Sequence, residues 1–479
     1  MTTPGNAGTR PATGTGPATE GGARTAEGGA RTAGSAAVRA EEVARPVEPA
    51  APPHRLRRRL AALVGALLSL CALAGVVRLV VPATTGTAGE PIGVRRQLAF
   101  LRDALADGAG ERAQQLFPEG YFFLHALYGL TWVELGRRGD DADRVTALRQ
   151  ARWALARLDT PAGRAPFSPD LTPSYGVFYT GWTNWLRGGI LGLQSTDRRD
   201  PGELRRFADD SAALGAAFDA AGTPFLSAYP GQAWPVDSTV AVASLRLHDA
   251  LLPARFGGTV TRWLAGVRQR LDPRTGLLPH RVDPETGAPA EVARATSQGM
   301  LQRFLVEIDQ AFAREQYLAF RRDFVASPLG LGPAVREYPR GVTGPADVDS
   351  GPLPLGVSLS ATAVTIGAAQ VQGDASLAAA LANYGELAGL PLDTPFGKRY
   401  AFGLLPIGDA FLAWAKTTRP WLAPTPDPPP AVVTWWWRTP LLSLLLLLGV
   451  LPWLPALVRP VVRRRRRVRT TSRPTGTVR

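Results

Sequence analysis

The chain has one cysteine, Cys71, and it falls inside an apolar run. That excludes an intrachain disulfide, a thiolate zinc cluster and a Cys-His nucleophile in the rest of the protein. Lysine is nearly as scarce, occurring only at Lys398 and Lys416, so arginine carries almost all the positive charge. Of the four histidines, 125, 248 and 280 lack metal-ligand spacing, and Asp347-Val348-Asp349 is a weak carboxylate pair, so no metal and no cofactor is expected. No phosphate-binding loop follows a strand and no G-x-S-x-G elbow occurs, which leaves no nucleotide signal.

The formal net charge is +14. Much of it lies in "HRLRRRL" at 54–60 and "RPVVRRRRRVR" at 459–469, each abutting an apolar stretch. Arginines beside an apolar run read as a topogenic signal, so the expected partner is a lipid bilayer and not nucleic acid. Residues 60–81 and 439–458 are each long enough to span about 30 Å of hydrocarbon. Trp435, Trp436 and Trp437 introduce the second as an interfacial belt. Both basic runs then share the cytoplasmic side, and everything between the spans faces outward. A rival reading makes the first run a cleaved signal ending at "VPA", 81–83.

The expected organisation is a low-complexity, disordered cytoplasmic segment at 1–55 and an extracytoplasmic domain at 86–422. A stiff proline-rich linker follows at 423–434, and a basic cytoplasmic tail at 459–479 ends the chain. Within the domain, apolar spacing is mostly helical. Six amphipathic, arginine-rich segments, at 92–107, 142–158, 201–221, 258–271, 311–325 and 374–388, alternate with six that are apolar or small nearly all round. The second set lies at 119–136, 174–193, 237–252, 296–310, 350–371 and 400–416. A helix apolar all round must be enclosed, whereas a striped one lies outside. Six such pairs without end caps predict an all-α (α/α)6 toroid of six inner and six outer helices. Every loop feeding an inner helix then gathers at one mouth.

Two of those loops match: "YPGQAWPVDSTVA" at 229–241 and "REYPRGVTGPADVDSGP" at 336–352. Asp237 and Asp349 follow Tyr-Pro in both. Helix capping explains such aspartates equally well. Axes about 10 Å apart put the third and fifth inner helices roughly 17 Å apart, and inward side chains would close this to around 6–10 Å. An acid and a base bracketing a glycosidic bond and one water stand roughly 6.5–9.5 Å apart. Asp237 and Asp349 are therefore the candidate acid/base pair. His280 is a third candidate, on a short strand at 277–282 between two Asp-Pro-x-Thr-Gly turns, where a solvated loop histidine is the plainer reading. Tyr121, Tyr179, Trp182, Tyr229, Gln232, Trp234, Glu337, Tyr338 and Asp347 are candidate substrate contacts, able to stack on sugar rings or line an apolar pocket. Core packing is the alternative for the aromatic ones.

With twelve helices and the "WPVDSTVA" and "DVDSGP" loops, about 330 residues resemble the α/α six-barrel enzymes. One branch is the six-hairpin glycosidases. The other is the linalool dehydratase/isomerase-like proteins, which 229–420 resembles more closely in texture. The second branch implies site cysteines, and the domain has none; Tyr229 and Ser238 stand in the corresponding kind of loop. The glycosidase branch implies paired carboxylates, which Asp237 and Asp349 provide. The expectation is acid/base hydrolysis of a cell-envelope or extracellular glycan. A lyase or isomerase of apolar alcohols and a non-catalytic binding or assembly module are the alternatives.

Overall fold

The computed structural model describes residues 53–83 and 89–456. The segment expected to be disordered, up to residue 52, and the basic tail at 459–479 lie outside the described residues. The protein is predominantly helical, with three two-stranded antiparallel ribbons among the described residues.

The chain opens with α1, Pro53–Val80, a single apolar helix. It is followed by α2 (Val94–Ala106), α3 (Ala109–Leu116), α4 (Gly120–Gly136), α5 (Asp141–Leu158), the single turn α6 (Pro161–Arg164), α7 (Gly176–Gly192) and α8 (Pro201–Ala220). Then come α9 (Pro235–Leu251), α10 (Gly257–Arg268), α11 (Ala295–Ile308), α12 (Gln310–Phe324), α13 (Leu359–Val371), α14 (Ala375–Ala388), α15 (Pro406–Thr417) and α16 (Thr439–Val450).

The enclosed set is α4, α7, α9, α11, α13 and α15. In chain order each packs on the next, and α15 packs back on α4. Their side chains are buried almost without interruption, because no face of them is polar enough to meet water. The amphipathic α5, α8, α10, α12 and α14 lie against the helix preceding each, while α2 lies against α15 and α4 and α3 against α4. Capping is commoner in the outer set, although α2, α3 and α10 start without a side-chain cap. Asp140, Asp200, Asp309 and Asp374 accept backbone N–H bonds at the starts of α5, α8, α12 and α14. Of the enclosed helices only α13 has such a cap, from Ser358; the other five begin without one.

The starts of the enclosed helices meet at one end. The Val177 amide donates to Ser227, the Ala295 amide to Glu337, the Glu337 amide to Gly356 and the Val282 amide to Ala233. At the other end the segment after α15 crosses the bundle. There Trp421 stacks on Trp185, with centroids 4.3 Å apart and planes 12° from parallel. Its indole N–H donates to Glu134 at 2.9 Å and its amide to Glu307 at 2.8 Å. Arg303 lies between the two carboxylates, 2.6 Å from Glu307 and 3.5 Å from Glu134. Phe123, Trp182, Phe304 and Trp414 fill the space between the ends with edge-on and stacked rings. One end is plugged; at the other the loops before the enclosed helices gather.

Among the described residues two helices are long and apolar enough to cross a membrane, Arg55–Val80 and Trp435–Ala456. They lie antiparallel: Gly65 meets Pro452, Gly75 meets Leu445, and the Ser69 hydroxyl donates to the Gly449 carbonyl at 2.7 Å.

Three segments differ from the expected boundaries. The enclosed helix expected over 400–416 begins only at Pro406, because Ala401, Phe402 and Gly403 at positive φ hold the preceding residues in a turn. The enclosed helix expected over 350–371 begins only at Leu359, because Pro352, Pro354 and the positive-φ residues Gly351 and Gly356 hold 350–358 in turns. The strand expected at 277–282 is reduced to β1, Arg281–Val282, paired with β2, Pro289–Glu291, around the turn at Asp283–Gly287.

Candidate active site

Asp237 is the third residue of α9, behind Pro235 at the first position and Trp234. It makes no capping bond, so the capping reading does not describe it. Its carboxyl is buried and pushed well above the usual range. Loss of hydration is the chief cause, with the charges of Glu119 and Asp349 adding to it. The Trp182 indole lies close enough to pull the other way, but its N–H is not aligned to complete a hydrogen bond.

Asp349 belongs to no helix; Asp347 accepts the Ser350 amide instead, so here too the capping reading fails for the candidate residue. Asp349 is exposed to water, and protein atoms crowd its carboxyl. Its carboxyl is raised to about 6 by desolvation, then by Asp347 and Glu119, with Arg294 opposing. Glu119, just before α4, accepts the Tyr229 phenol proton in a short hydrogen bond. Tyr229 is held up first by burial, then by Glu119, Asp237 and Asp349. The starts of α4 and α9 and the loop before α13 thus bring Glu119, Tyr229, Asp237 and Asp349 into one electrostatic neighbourhood.

The remaining candidates divide. Trp234 meets Tyr229 edge-on, and the exposed Gln232 closes the Tyr229 turn through its backbone. Tyr338, half-buried, lies beneath the Arg294 guanidinium. Glu337 is buried and bonded to Arg294 and Thr296, which makes it a strut of the basin wall. Asp347 is paired with Arg294 at 2.5 Å, which holds its carboxyl down at about 2. Tyr179 turns toward Leu158, Asp159 and Arg164 on the outer layer, and Tyr121 is buried against His125. His280 is not the solvated loop residue: it is buried beside Ser297, and lost hydration, then the Arg294 charge, lower it to about 4. A histidine so held is neutral near pH 7 and lacks the charged imidazolium form that a general acid needs.

Arg294, which gathers Glu337, Asp347 and Tyr338, was not among the sequence candidates; its place immediately before an enclosed helix was the available signal. No group of three or more His, Cys, Asp or Glu able to hold a metal occurs among the described residues. The grooves at Pro424–Pro430 and at Phe218–Arg270 lie on the outer wall, away from these carboxylates. No protein-family model matches the chain, and no curated protein matches its sequence.

Proposed function

We propose that the six helix pairs close as an (α/α)6 toroid, held outside the membrane by two spans, and that its basin hydrolyses a glycosidic bond. The cyclic packing order, the shared end for all enclosed-helix starts and the plugged opposite end support the architecture. The observation that carries the chemistry is a buried Asp237 whose carboxyl is raised well above the usual range, within reach of the charges of Glu119 and Asp349, while Asp349 itself is raised to about 6. Of two such carboxyls, the buried one is placed to act as general acid and the water-exposed one as general base. Asp237 donates its proton to the departing sugar oxygen. Asp349 accepts a proton from the attacking water, whose oxygen bonds the anomeric carbon.

A second reading, elimination of water from an apolar alcohol, is favoured by one feature: Tyr229, bonded to Glu119, is a proton carrier in an aromatic setting. Screening the full chain against glycans and apolar alcohols, with Asp237→Asn and Asp349→Asn, tests both readings. Turnover on a glycan lost in each variant at undiminished thermal stability supports the glycosidase. Turnover on alcohols lost in Tyr229→Phe supports the lyase. No turnover, with lower stability in both Asn variants, leaves a binding module.

A further inference from the structure

The attachment of the two spans fixes which end of the helix ring they reach. On α14, Asn383 donates to the carbonyls of Arg78 at 3.0 Å, Leu79 at 3.3 Å and Val81 at 2.6 Å, all at the outer end of α1. One turn further toward the basin, Leu387 lies against Gly75, and just past the helix the Pro391 carbonyl accepts the Arg78 guanidinium at 2.8 Å. Moving along α14 toward the basin is therefore moving down the span.

The second span gives the same direction independently. After Trp421 plugs the far end, the chain climbs the outer face of α12. Gln310 donates to the Pro424 carbonyl, Arg314 to Asp427 and Arg321 to Pro430. Trp437 then meets Tyr384 near the basin end of α14, and the second span begins. The linker traverses the height of the ring before it enters the membrane helix. Spans fixed to the plugged end would need no such traverse.

The surfaces of the two ends differ accordingly. Loops at the plugged end read "RRGDD" at 137–141 and "STDRRD" at 195–200. Loops at the basin end expose Leu355, Leu390, Phe396, Phe402 and Leu404, with Phe396 89% and Leu404 77% accessible. Leu355 and Phe402 occupy left-handed backbone, φ 55° and 61°, each next to a glycine. Bulky side chains are disfavoured there, and in water their exposure adds a second penalty. At a lipid interface that second penalty becomes a gain.

We propose that the basin faces the bilayer, that loop 389–405 and Leu355 sit in the interfacial layer, and that the site takes an amphiphile. Its polar head would enter the basin while its apolar tail stays in lipid. Resting on the hydrolase reading, the substrate class is a lipid-linked glycan, not a free polysaccharide.

The test uses the full chain in vesicles of phosphatidylcholine and phosphatidylglycerol containing a nitroxide lipid. In a Cys71→Ser background, single cysteines replace Phe396, Leu404 or, at the plugged end, Asp141, whose side chain is 95% exposed. Each carries a polarity-sensitive fluorophore. Labels at 396 and 404 should shift to the blue and be quenched several-fold more than the label at 141. Equal quenching at all three, or greater quenching at 141, overturns the orientation, including the case in which a second copy covers the patch. Separately, a glycan carried on an alkyl chain in the vesicle should be cleaved at least tenfold faster than the same glycan free. Equal rates overturn the amphiphile. Turnover on neither refutes the hydrolase reading and the substrate class with it, while the quenching still decides the orientation.

Discussion

The charge of Asp349, on a loop at the rim of the basin, helps keep the proton on Asp237 in the first turn of α9. The two aspartates are far apart in the chain and in unlike settings, one wet and one dry. Activity should therefore require Asp349 ionised and Asp237 protonated at once. On the hydrolase reading, kcat/KM rises through about pH 6 as Asp349 loses its proton and falls once Asp237 loses its own. Asp349→Asn should lower the rate by about two to four orders of magnitude. It should also move the residual upper limb to lower pH, since one of the charges holding the Asp237 proton is gone. An unmoved upper limb separates the two residues.

The same placement carries a stability cost. Asp349 binds its proton more tightly in the fold than as a free carboxyl, whose ordinary value is 3.8. Its contribution to stability is thus fully present below that value and is lost as pH rises through about 6. Asp349→Asn should raise the melting temperature at pH 7 and leave it unchanged near pH 3.5, while lowering turnover by the roughly two to four orders of magnitude expected above. A residue kept for folding would show the opposite at pH 7.

The helical rhythm was legible because burial is a property of a whole helix face, and α4, α7 and α9 carry no polar face to misread. The convergence of Glu119, Asp237 and Asp349 followed from the same topology, since all three precede or open enclosed helices. What stayed hidden was side-chain direction. Tyr179 and Glu337 are the right residue types near the right rim, yet one turns outward to Arg164 and the other is consumed by Arg294. Nothing local distinguishes them from Tyr229 or Asp349, because their partners are remote in sequence. The same holds for the only two lysines, which converge on one buried carboxylate, and for α3, an eight-residue helix between the left-handed Gly108 and Pro118.

That carboxylate is Glu386. Lys398 approaches its two oxygens at 2.8 and 2.9 Å, and Lys416 and the Tyr400 hydroxyl reach the nearer one as well. Despite burial, the two ammonium charges hold Glu386 at about 2. A carboxyl lowered in the fold stabilises it above the ordinary value of 4.5, and that contribution is lost as pH falls through about 2. Glu386→Gln leaves two buried ammonium groups without a counter-charge and should cost about 3–5 kcal/mol. Adding Lys416→Met should recover part of this. Thermal unfolding of the single and double variants measures the coupling.

At the plugged end, Arg303 is the cation between Glu134 and Glu307, and both carboxylates also receive Trp421 N–H groups. Arg303→Met should cost about 3–5 kcal/mol by stranding two buried anions. Trp421→Ala should cost a similar amount, about 3–5 kcal/mol, through the cavity beneath Trp185. Because the basin is at the other end, the hydrolase reading expects KM to be little changed in whatever fraction of either variant remains folded. Titration of active protein against folded protein, followed by circular dichroism, tests that separation.

Asn383 ties α14 to the C-terminal end of α1. It satisfies three carbonyls with its amide nitrogen and meets the Ala83 amide with its oxygen, all without exposure to water. Asn383→Leu preserves volume but strands these groups, a loss of about 1–3 kcal/mol. The loss falls on the docking of ring to span and not on the basin. If the basin is held against lipid by this contact, the quenching of a label at Phe396 should drop in Asn383→Leu, along with cleavage of a vesicle-borne glycan. Cleavage of a detergent-dispersed one should persist. Equal loss on both substrates would mean that Asn383 supports the fold of the basin itself and has no part in its orientation.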